Sequence, residues 1–303
     1  MCGIAGFYCA KKQYLSEYDR YQTALASMAK VQRHRGPDDA GTWLSEHAGL
    51  SHARLSIIDL AGGKQPMTCT DAGKDFAIVY NGELYNTDEL RAGLRSCGHT
   101  FLTSSDTEVI LAGYMEYGPD FVKRLNGIFA FAVFDPVRDC LALFRDRAGV
   151  KPLFFTVEDD EVVFASELKG IFACLGRRPQ LTRKGLNEIF SIGPARTPGC
   201  GVFEGMREVL PGHFLLVSPE GISDQCYWAL ESRPHTDGYR ETVEKTSFLV
   251  TDAVKRQMVS DVPICTFLSG GVDSSLVSAI CAGELKKRGE RLNTFSFDFV
   301  DND

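Results

Sequence analysis

The chain has 303 residues, of which 44% are hydrophobic and 24% charged, and its formal net charge is −7. This composition is typical of a globular protein long enough for one large domain, or for one domain and part of another. The negative charge and the lack of basic runs argue against a nucleic-acid surface. No apolar stretch approaches the ~20 residues that span a bilayer, and the N-terminus predicts no signal peptide.

Ten cysteines are scattered singly along the sequence, without a CxxC pair or a histidine cluster at metal-binding spacing. In a chain of this length, the pattern predicts reduced thiols in a cytoplasmic protein, most of them packed in the core. It predicts no metal site.

Cys2 stands directly behind the initiator methionine. Removal of Met1, which a small second residue permits, would leave a thiol and a free α-amine on one residue. The amine titrates near ~8 and can act as a base, while the thiol, near ~8.5, needs such a base or a positive neighbour to become reactive. Taken alone, Cys2 is better interpreted as part of a buried first strand.

Strands and helices are predicted throughout the first two-thirds of the chain. Runs rich in Phe, Val, Ile and Ala predict strands over 3–8, 76–80, 128–135, 140–145, 153–156 and 162–165. Helices are predicted over 17–33, 87–97, 106–117 and 183–191, and the third begins at Ser105-Asp106-Thr107-Glu108, which fits a capping box. Because the elements do not alternate regularly, we expect two stacked sheets with helices outside them.

Residues 193–238 are rich in Pro and Gly, which predicts a linker with hairpins. A helix over 238–259 follows, then a buried strand over 262–268, a turn over 269–275, a helix over 275–288 and a strand over 292–299. This order is one βαβ unit, the opening of a parallel α/β domain. The sequence ends before such a domain could close a core, so we expect a fragment with exposed apolar surface.

An Asn81-Gly82 pair follows the strand predicted over 76–80. Such a pair is a strong signal for a hairpin turn, and taken alone this interpretation is favoured. The alternative is an oxyanion hole, since an Asn amide and a Gly backbone N–H are two neutral donors that a sharp turn can bring together.

Arg54 and Asp106 are candidate ligands for an amino acid. An arginine in a strand usually lies on a solvated face, where Asp59 could pair with it, but in a pocket it would clamp a carboxylate. Asp106 suits the first turn of a helix, yet it could equally bind an ammonium. Residues 33–39, RHRGPDD, place cations at the end of a predicted helix. These cations are favoured there by the helix dipole; alternatively, the two arginines order a loop over the pocket.

The turn over 269–275 reads SGGVDSS and lacks the Gly-Lys-Ser/Thr ending of a Walker A loop. Small residues between a strand and a helix leave backbone N–H groups free to bind phosphate. A bare Gly-Gly turn would explain neither Ser269 nor the hydroxyls of Ser274 and Ser275. The phosphate-binding interpretation is therefore favoured.

Together, these segments resemble glutamine-dependent asparagine synthetases over nearly the whole chain. MCGIAGF, RHRGPDD, SHARLSIIDLAGGKQPM, YNGELYN, SSDTEVIL, RDRAGVKPLFF and FASELKGI resemble the glutaminase domain, and LSGGVDSS resembles the ATP pyrophosphatase loop. The resemblance implies an α+β fold, a four-layer αββα N-terminal-nucleophile hydrolase sandwich over residues 1–205. A linker with hairpins (206–237) and the first βαβ portion of an α/β ATP pyrophosphatase domain (238–303) would follow.

The resemblance also implies a role for each matching residue. Cys2 would be the nucleophile, with its own α-amine as the base, and Asn81 and Gly82 would be the oxyanion donors. The residues expected to bind glutamine are Arg54, Leu55, Ser56, Ile57, Ile58, Asn81, Gly82, Glu83 and Asp106. Those expected to contact ATP and pyrophosphate are Leu268, Ser269, Gly270, Gly271, Asp273 and Ser274.

By the same resemblance, glutamine hydrolysis needs no cofactor, and the ammonia amidates aspartate that ATP and Mg²⁺ have activated. The aspartate site would lie outside this sequence, so the fragment would be a glutaminase at most. We expect a cytoplasmic homodimer without nucleic-acid or membrane partners.

Two alternatives stay open. One is a related glutaminase that feeds another acyl acceptor, such as a peptide-amidating or β-lactam-forming enzyme, and the other is a non-catalytic glutamine-binding module. The amidotransferases that make amino sugars or purine precursors are excluded by the pyrophosphatase loop.

Overall fold

The computed structural model describes residues 1–193 and 197–297, and the chain divides into two units, Met1–Leu230 and Glu231–Asp303. The strands of the first unit are β1 Gly3–Tyr8, β2 Asp39–Leu44, β3 Ala48–Arg54, β4 Met67–Asp71, β5 Lys74–Leu84, β6 Gly127–Asp135, β7 Cys140–Arg145, β8 Phe154–Glu158, β9 Glu161–Ala165, β10 Arg207–Glu208, β11 His213–Ser218 and β12 Gly221–Cys226. Its helices are α1 Tyr18–Val31, α2 Thr87–Ser96, α3 Asp106–Tyr117, α4 Leu168–Leu175 and α5 Arg183–Asn187.

These strands form two antiparallel six-stranded sheets. The first has the order β10-β8-β9-β1-β3-β2 and the second β12-β11-β7-β6-β5-β4. Strand β1 lies in the middle of the first sheet, where Gly3 pairs with Ala53 of β3. Strand β5 pairs with β6 in the second sheet, with Asn81 opposite Ala130.

Three apolar cores separate four layers. Between the sheets, Ile4 and Leu50 of the first sheet pack with Val79 and Leu143 of the second. Helices α1 and α4 cover the outer face of the first sheet, and α2 and α3 cover the outer face of the second. The expected αββα sandwich, with stacked sheets and helices outside, is confirmed.

Burial on both faces explains why the central strands are continuously apolar. In β1, Ile4 and Tyr8 pack between the sheets, while Ala5 and Phe7 pack against the helices, as the twofold alternation of a strand requires. All six strands predicted for this unit are present, and β5 extends from 74 to 84 rather than over 76–80. Strands β2 and β4 were not predicted, because most of their side chains are exposed or half-buried.

The first three predicted helices are also confirmed. At the start of α3, Ser105 Oγ accepts from the Thr107 N–H at 3.1 Å. The reciprocal half of the predicted capping box is wrong: the Glu108 carboxylate accepts from the N–H groups of Leu102 and Thr103, both at 2.8 Å. It therefore ties the preceding loop to the helix. The helix predicted over 183–191 is α5 followed by a π-helical turn, Glu188–Ile192.

The second unit contains α6 Tyr239–Arg256, β13 Cys265–Phe267, α7 Val272–Lys287 and β14 Asn293–Phe295. Strands β13 and β14 pair in parallel across α7, which confirms the βαβ unit. Strand β13 is shorter than predicted and largely exposed, so the prediction of a buried strand was wrong. Part of the strand predicted over 292–299 lies outside the described residues.

Residues 206–230 were predicted to belong to a linker that runs to 237. In the structure, β11 and β12 form the expected hairpin, and β11 pairs with β7 in the second sheet. Strand β10 pairs with β8 at the edge of the first sheet. The hairpin segment is thus part of the first unit, because its backbone completes the two sheets.

All ten cysteines lie in the described part of the chain and are free. Cys9, Cys140 and Cys281 are buried, whereas Cys69, Cys97, Cys226 and Cys265 are exposed. The prediction that most of them are core residues was therefore wrong. Among the described residues, no group of His, Cys, Asp and Glu could hold a metal ion, and no helix is long and apolar enough to cross a membrane.

Candidate active site

One pocket of the first unit brings together ends of several elements. Cys2 immediately precedes β1, Arg54 ends β3, Asn81 to Glu83 lie in β5, and Asp106 begins α3. The pocket is lined by Met1, Cys2, Arg54, Leu55, Ile57, Ile58, Gly63, Gln65, Tyr80, Asn81, Gly82, Glu83, Ser105, Asp106, Thr107 and Lys151. Every residue predicted to act on glutamine therefore lines it except Ser56, whose N–H donates to Asp38 Oδ2 at 2.8 Å.

Cys2 is fixed through its thiol and its carbonyl. Its Sγ accepts from the Leu55 N–H at 3.4 Å and lies 3.6 Å from the Leu55 carbonyl, to which the thiol donates. The Cys2 carbonyl accepts from Arg35 Nε at 2.9 Å, and Arg35 Nη1 in turn donates to Glu167 at 3.0 Å. Burial raises the pKa of the thiol, and the Leu55 N–H partly opposes that rise.

Arg35 comes from the RHRGPDD segment. The alternatives there were helix capping or ordering of a loop over the pocket. Arg35 instead anchors the N-terminal segment, because it joins the Cys2 backbone to Glu167. His34 and Lys169 also contact Glu167, at 2.9 Å each. Burial opposes the change, but hydrogen bonds from Lys169, His34 and Arg35 lower the pKa of Glu167 to about 2.

Two unpaired donors lie side by side on β5. The Asn81 Nδ2 amide is buried and has no hydrogen-bond partner in the described part of the chain. The Tyr80 N–H donates to Gln65 Oε1 at 2.6 Å and the Leu84 N–H to Asp106 Oδ2 at 3.4 Å, so both point away from β6. Because strand N–H groups alternate in direction, the Gly82 N–H between them faces the same side. Two converging neutral donors can stabilise an oxyanion.

Gly82 has no room for a side chain. A Cβ at this position would lie 2.5 Å from the Ile128 carbonyl oxygen and 2.8 Å from Phe129 Cβ on the neighbouring strand. The interpretation of Asn81-Gly82 as a hairpin turn is wrong, since both residues are paired inside β5 with Ala130 and Phe129. The glycine serves close packing between strands, not a turn conformation.

Arg54 shapes the pocket wall. Its Nη1 donates to the Leu60 carbonyl at 3.1 Å, and its Nη2 donates to the carbonyls of Ile58 and Asp59 at 3.3 and 2.6 Å. The guanidinium has five N–H donors, so this leaves donors for a ligand carboxylate. The Asp59 carboxylate accepts from the N–H groups of Gly62 and Ser104 and thereby closes the same loop.

Two carboxyl groups, those of Glu83 and Asp106, line the same pocket as Arg54. Asp106 is buried and accepts from the Tyr80 hydroxyl at 2.9 Å, yet burial still raises its pKa. Burial, followed by repulsion from Asp106, raises the pKa of Glu83 to about 7. A cationic ligand group between them would draw the proton from Glu83, because opposite charges favour the ionised form.

Several pocket residues escaped the sequence analysis. Gln65 bridges Tyr80 to Thr107, whose hydroxyl accepts from Gln65 Nε2 at 3.2 Å. Lys151 is buried at the pocket wall. The motifs that contain Gln65 and Lys151 are visible in the sequence, but no periodicity indicates that their side chains reach the same place as Cys2.

The second unit carries the predicted phosphate-binding turn. Helix α7 begins at Val272 with Gly271 as its N-cap, so Asp273 and Ser274 lie in the first helical turn. Ser269 Oγ and Ser274 Oγ are 3.0 Å apart, and Gly270 has φ 85°, a conformation that favours glycine. The exposed helix N-terminus and the two hydroxyls suit a phosphate chain.

Comparison with known proteins agrees with this geometry. A family model described as "Glutamine amidotransferase domain" matches residues 1–228, and one described as "Asparagine synthase" matches residues 246–303. The chain is 48% identical over 304 residues to asparagine synthetase [glutamine-hydrolyzing] 3 of Bacillus subtilis, covering 100% of this chain and 49% of that protein. It is 35% identical to amidase chry2 of Gibberella zeae, covering 96% of this chain and 44% of that protein.

Among solved structures, glutamine phosphoribosylpyrophosphate amidotransferase from B. subtilis has a similar fold. The TM-score is 0.53 at 19% identity, covering 97% of this chain and 65% of that chain. The four-layer αββα sandwich with a cysteine ahead of its first strand has the fold of the N-terminal-nucleophile hydrolases. The chain belongs to the glutamine amidotransferase domain family, and it spans about half the length of the curated relatives that it matches.

Proposed function

We propose that this chain hydrolyses glutamine to glutamate and ammonia, with Cys2 as the nucleophile once Met1 has been removed. The observation that carries the proposal is the position of the Cys2 thiol in one pocket with the Asn81 amide, the Gly82 N–H, an arginine and two carboxyl groups. The Asn81 amide has no partner in the described part of the chain. That set of groups matches a carboxamide to be attacked and an α-amino acid backbone to be held.

The reaction proceeds by acyl transfer to sulfur. The free α-amine of mature Cys2 takes the thiol proton, and Sγ attacks the side-chain carbonyl carbon of glutamine. Asn81 Nδ2 and the Gly82 N–H donate to the oxyanion that forms. The proton then passes to the leaving nitrogen, ammonia departs, and a thioester remains. Water, deprotonated by the same amine, cleaves the thioester to glutamate and regenerates the thiol.

The rest of the pocket recognises the glutamine backbone. Arg54 binds the α-carboxylate with the N–H groups that the Ile58, Asp59 and Leu60 carbonyls leave unoccupied. Glu83 and Asp106 face the α-ammonium, and backbone over 55–58 lines the pocket. Because Arg54 also holds this loop, its replacement would weaken both the carboxylate contact and the shape of the wall.

The ammonia would amidate aspartate activated by ATP, as the names of the asparagine synthetase relatives imply. The residues that would hold ATP phosphates are Leu268, Ser269, Gly270, Gly271, Asp273 and Ser274. Bound ATP with Mg²⁺ supplies the activation of a carboxylate. The glutaminase half needs no cofactor, and we propose a homodimeric, cytoplasmic enzyme.

The second candidate is the same glutaminase with another acyl acceptor. It is supported by the 35% identity to a protein named an amidase rather than an asparagine synthetase. The identity of the acceptor does not change the reaction proposed for the Cys2 pocket, so both candidates require the same residues in the first unit. A glutamine-binding module without catalysis is disfavoured, because binding alone gives no role to a thiol beside an oxyanion hole.

The test is ammonia release from glutamine, with removal of Met1 checked by intact mass. Wild type is compared with Cys2→Ala, with a variant that retains one extra residue before Cys2, and with Cys69→Ala as an exposed-thiol control. We expect activity in wild type and Cys69→Ala and background rates in the other two. Equal rates in all four would contradict the proposal, and calorimetric glutamine binding without turnover in wild type would support the binding module instead.

A further inference from the structure

Lys151 is held at the pocket wall by its backbone. Its N–H donates to Asp146 Oδ2 at 2.9 Å, and its carbonyl accepts from Arg145 Nε at 3.0 Å. The backbone of Lys151 is therefore fixed just before β8, and the residue lines the same pocket as Cys2 and Glu83. Only 7% of Lys151 is exposed.

The Lys151 ammonium has no partner in the described ranges 1–193 and 197–297. No residue there accepts a hydrogen bond from its Nζ, and no carboxylate lies within 4.0 Å of it. Arg145 provides the contrast: it is equally buried, but it donates to three carbonyls and pairs with Glu208 at 3.0 Å. A purely structural role explains Arg145, whose guanidinium is paired inside the protein, whereas the Lys151 ammonium is not enclosed by the protein and lines the pocket.

The charges around Lys151 are those of the catalytic pocket. Glu83 and Asp146 attract its ammonium, as would a Cys2 thiolate, whereas Arg35 repels it. The Asp106 carboxylate raises the pKa of Glu83, and the Arg54 guanidinium opposes the rise that burial causes in the pKa of Cys2. Burial lowers the pKa of Lys151. Burial also lowers the pKa of the Met1 α-amine, and the charge of Lys151 adds to that effect.

We propose that Lys151 is a positioning residue of glutamine hydrolysis, whose ammonium favours loss of the proton that activates mature Cys2. The inference rests on the proposed glutaminase function. Mature Cys2 carries a net charge of +1 as ammonium and thiol. It becomes neutral on activation, either as amine and thiol or as ammonium and thiolate. A nearby cation favours the form with less positive charge in both cases, so the direction of the effect does not depend on where the proton resides.

The test compares Lys151→Met, which keeps the length of the stem and removes the charge, with Lys151→Arg, which keeps the charge. Lys123→Met, at an exposed lysine that pairs with Asp120, is the matched control. Two pH profiles are measured for each: kcat/KM for glutamine, and alkylation of Cys2 by iodoacetamide without substrate, followed by peptide mass spectrometry. The second readout does not depend on turnover, and circular dichroism checks that each variant is folded.

Lys151→Met should shift the acid limb of both profiles to higher pH and lower kcat/KM on that limb by about tenfold, as expected for a charge pair in a partly buried site. In Lys151→Arg and Lys123→Met, the acid limb of both profiles should stay at the same pH as in wild type. An unchanged limb in Lys151→Met, or a rise in KM with both profiles unshifted, would overturn the inference. Failure of the proposed function is distinct, because wild type would then release no Cys2-dependent ammonia.

Discussion

The two units differ in how much of their apolar surface they bury. The first has three extensive cores, between its sheets and beneath its helices. The core of the second is built around Met258, Cys281 and Leu285, and α6 buries no residue. The proposed glutamine pocket is therefore built on a packed sandwich, whereas the proposed phosphate-binding turn belongs to an exposed βαβ unit.

The largest expected difference between the units is in how much a phenylalanine-to-alanine substitution lowers the free energy of unfolding. Phe131 is buried in the second sheet and its ring stacks on that of Phe144, with the ring centroids 4.4 Å apart. Phe131→Ala should lower the free energy of unfolding by about 3–5 kcal/mol through lost burial and the cavity left behind. Phe248→Ala, on α6 where the ring is 67% exposed, should change it by less than about 0.5 kcal/mol. Urea unfolding followed by circular dichroism measures both, and similar losses would break the comparison.

A second test concerns an asparagine in each unit. Asn81→Ala removes one oxyanion donor and should lower kcat for glutamine by about 10²–10³-fold, with little change in KM. Asn293→Ala, at an exposed position of β14, should leave both constants at the wild-type value. Steady-state ammonia release measures the pair. A rise in KM at constant kcat would mean that Asn81 binds glutamine without stabilising the oxyanion.

The smallest expected effect is that of removing the second unit. A chain ending at Leu230 keeps all of the pocket residues and the three cores of the first unit. Its kcat/KM for glutamine should stay within about twofold of the full chain, because a domain with its own core folds alone. Gel filtration and the same ammonia assay check this, and a loss of more than roughly tenfold would show that the glutaminase needs the second unit.

The sequence predicted most of the strands whose burial is two-sided; β3, which is buried throughout but contains Gly49, Ser51 and His52, is the exception. The runs that became β1, β6 and β7 are apolar at consecutive positions because both faces of each sheet are covered. Edge strands β2 and β4 have no such pattern, since solvent accepts almost any side chain there. Helix α4 was not predicted, because eight residues give little room for a helical period.

The candidate site was predictable through motifs and not through local geometry. The composition of Asn81-Gly82 predicts a turn, and pairing with β6 overrides it, because a strand partner satisfies the backbone. Lys151 and Gln65 reach the pocket from loops, where no periodicity fixes the direction of a side chain. Gln65 is placed by its contact with Tyr80 in β5, and the backbone of Lys151 by its contact with Asp146 in the same loop.

The part of β5 that extends past its pairing with β4 bears on the rate of the proposed glutamine hydrolysis. Of three successive N–H groups on that edge, Gln65 takes that of Tyr80 and Asp106 takes that of Leu84. The Gly82 dipole between them is thereby oriented when the chain folds, before any ligand arrives. Water would have to reorient its dipoles around a newly formed oxyanion, whereas this edge would not. In the proposed reaction, the reorganisation energy of oxyanion formation would thus be met in advance, by the side chains of Gln65 and Asp106 rather than by solvent.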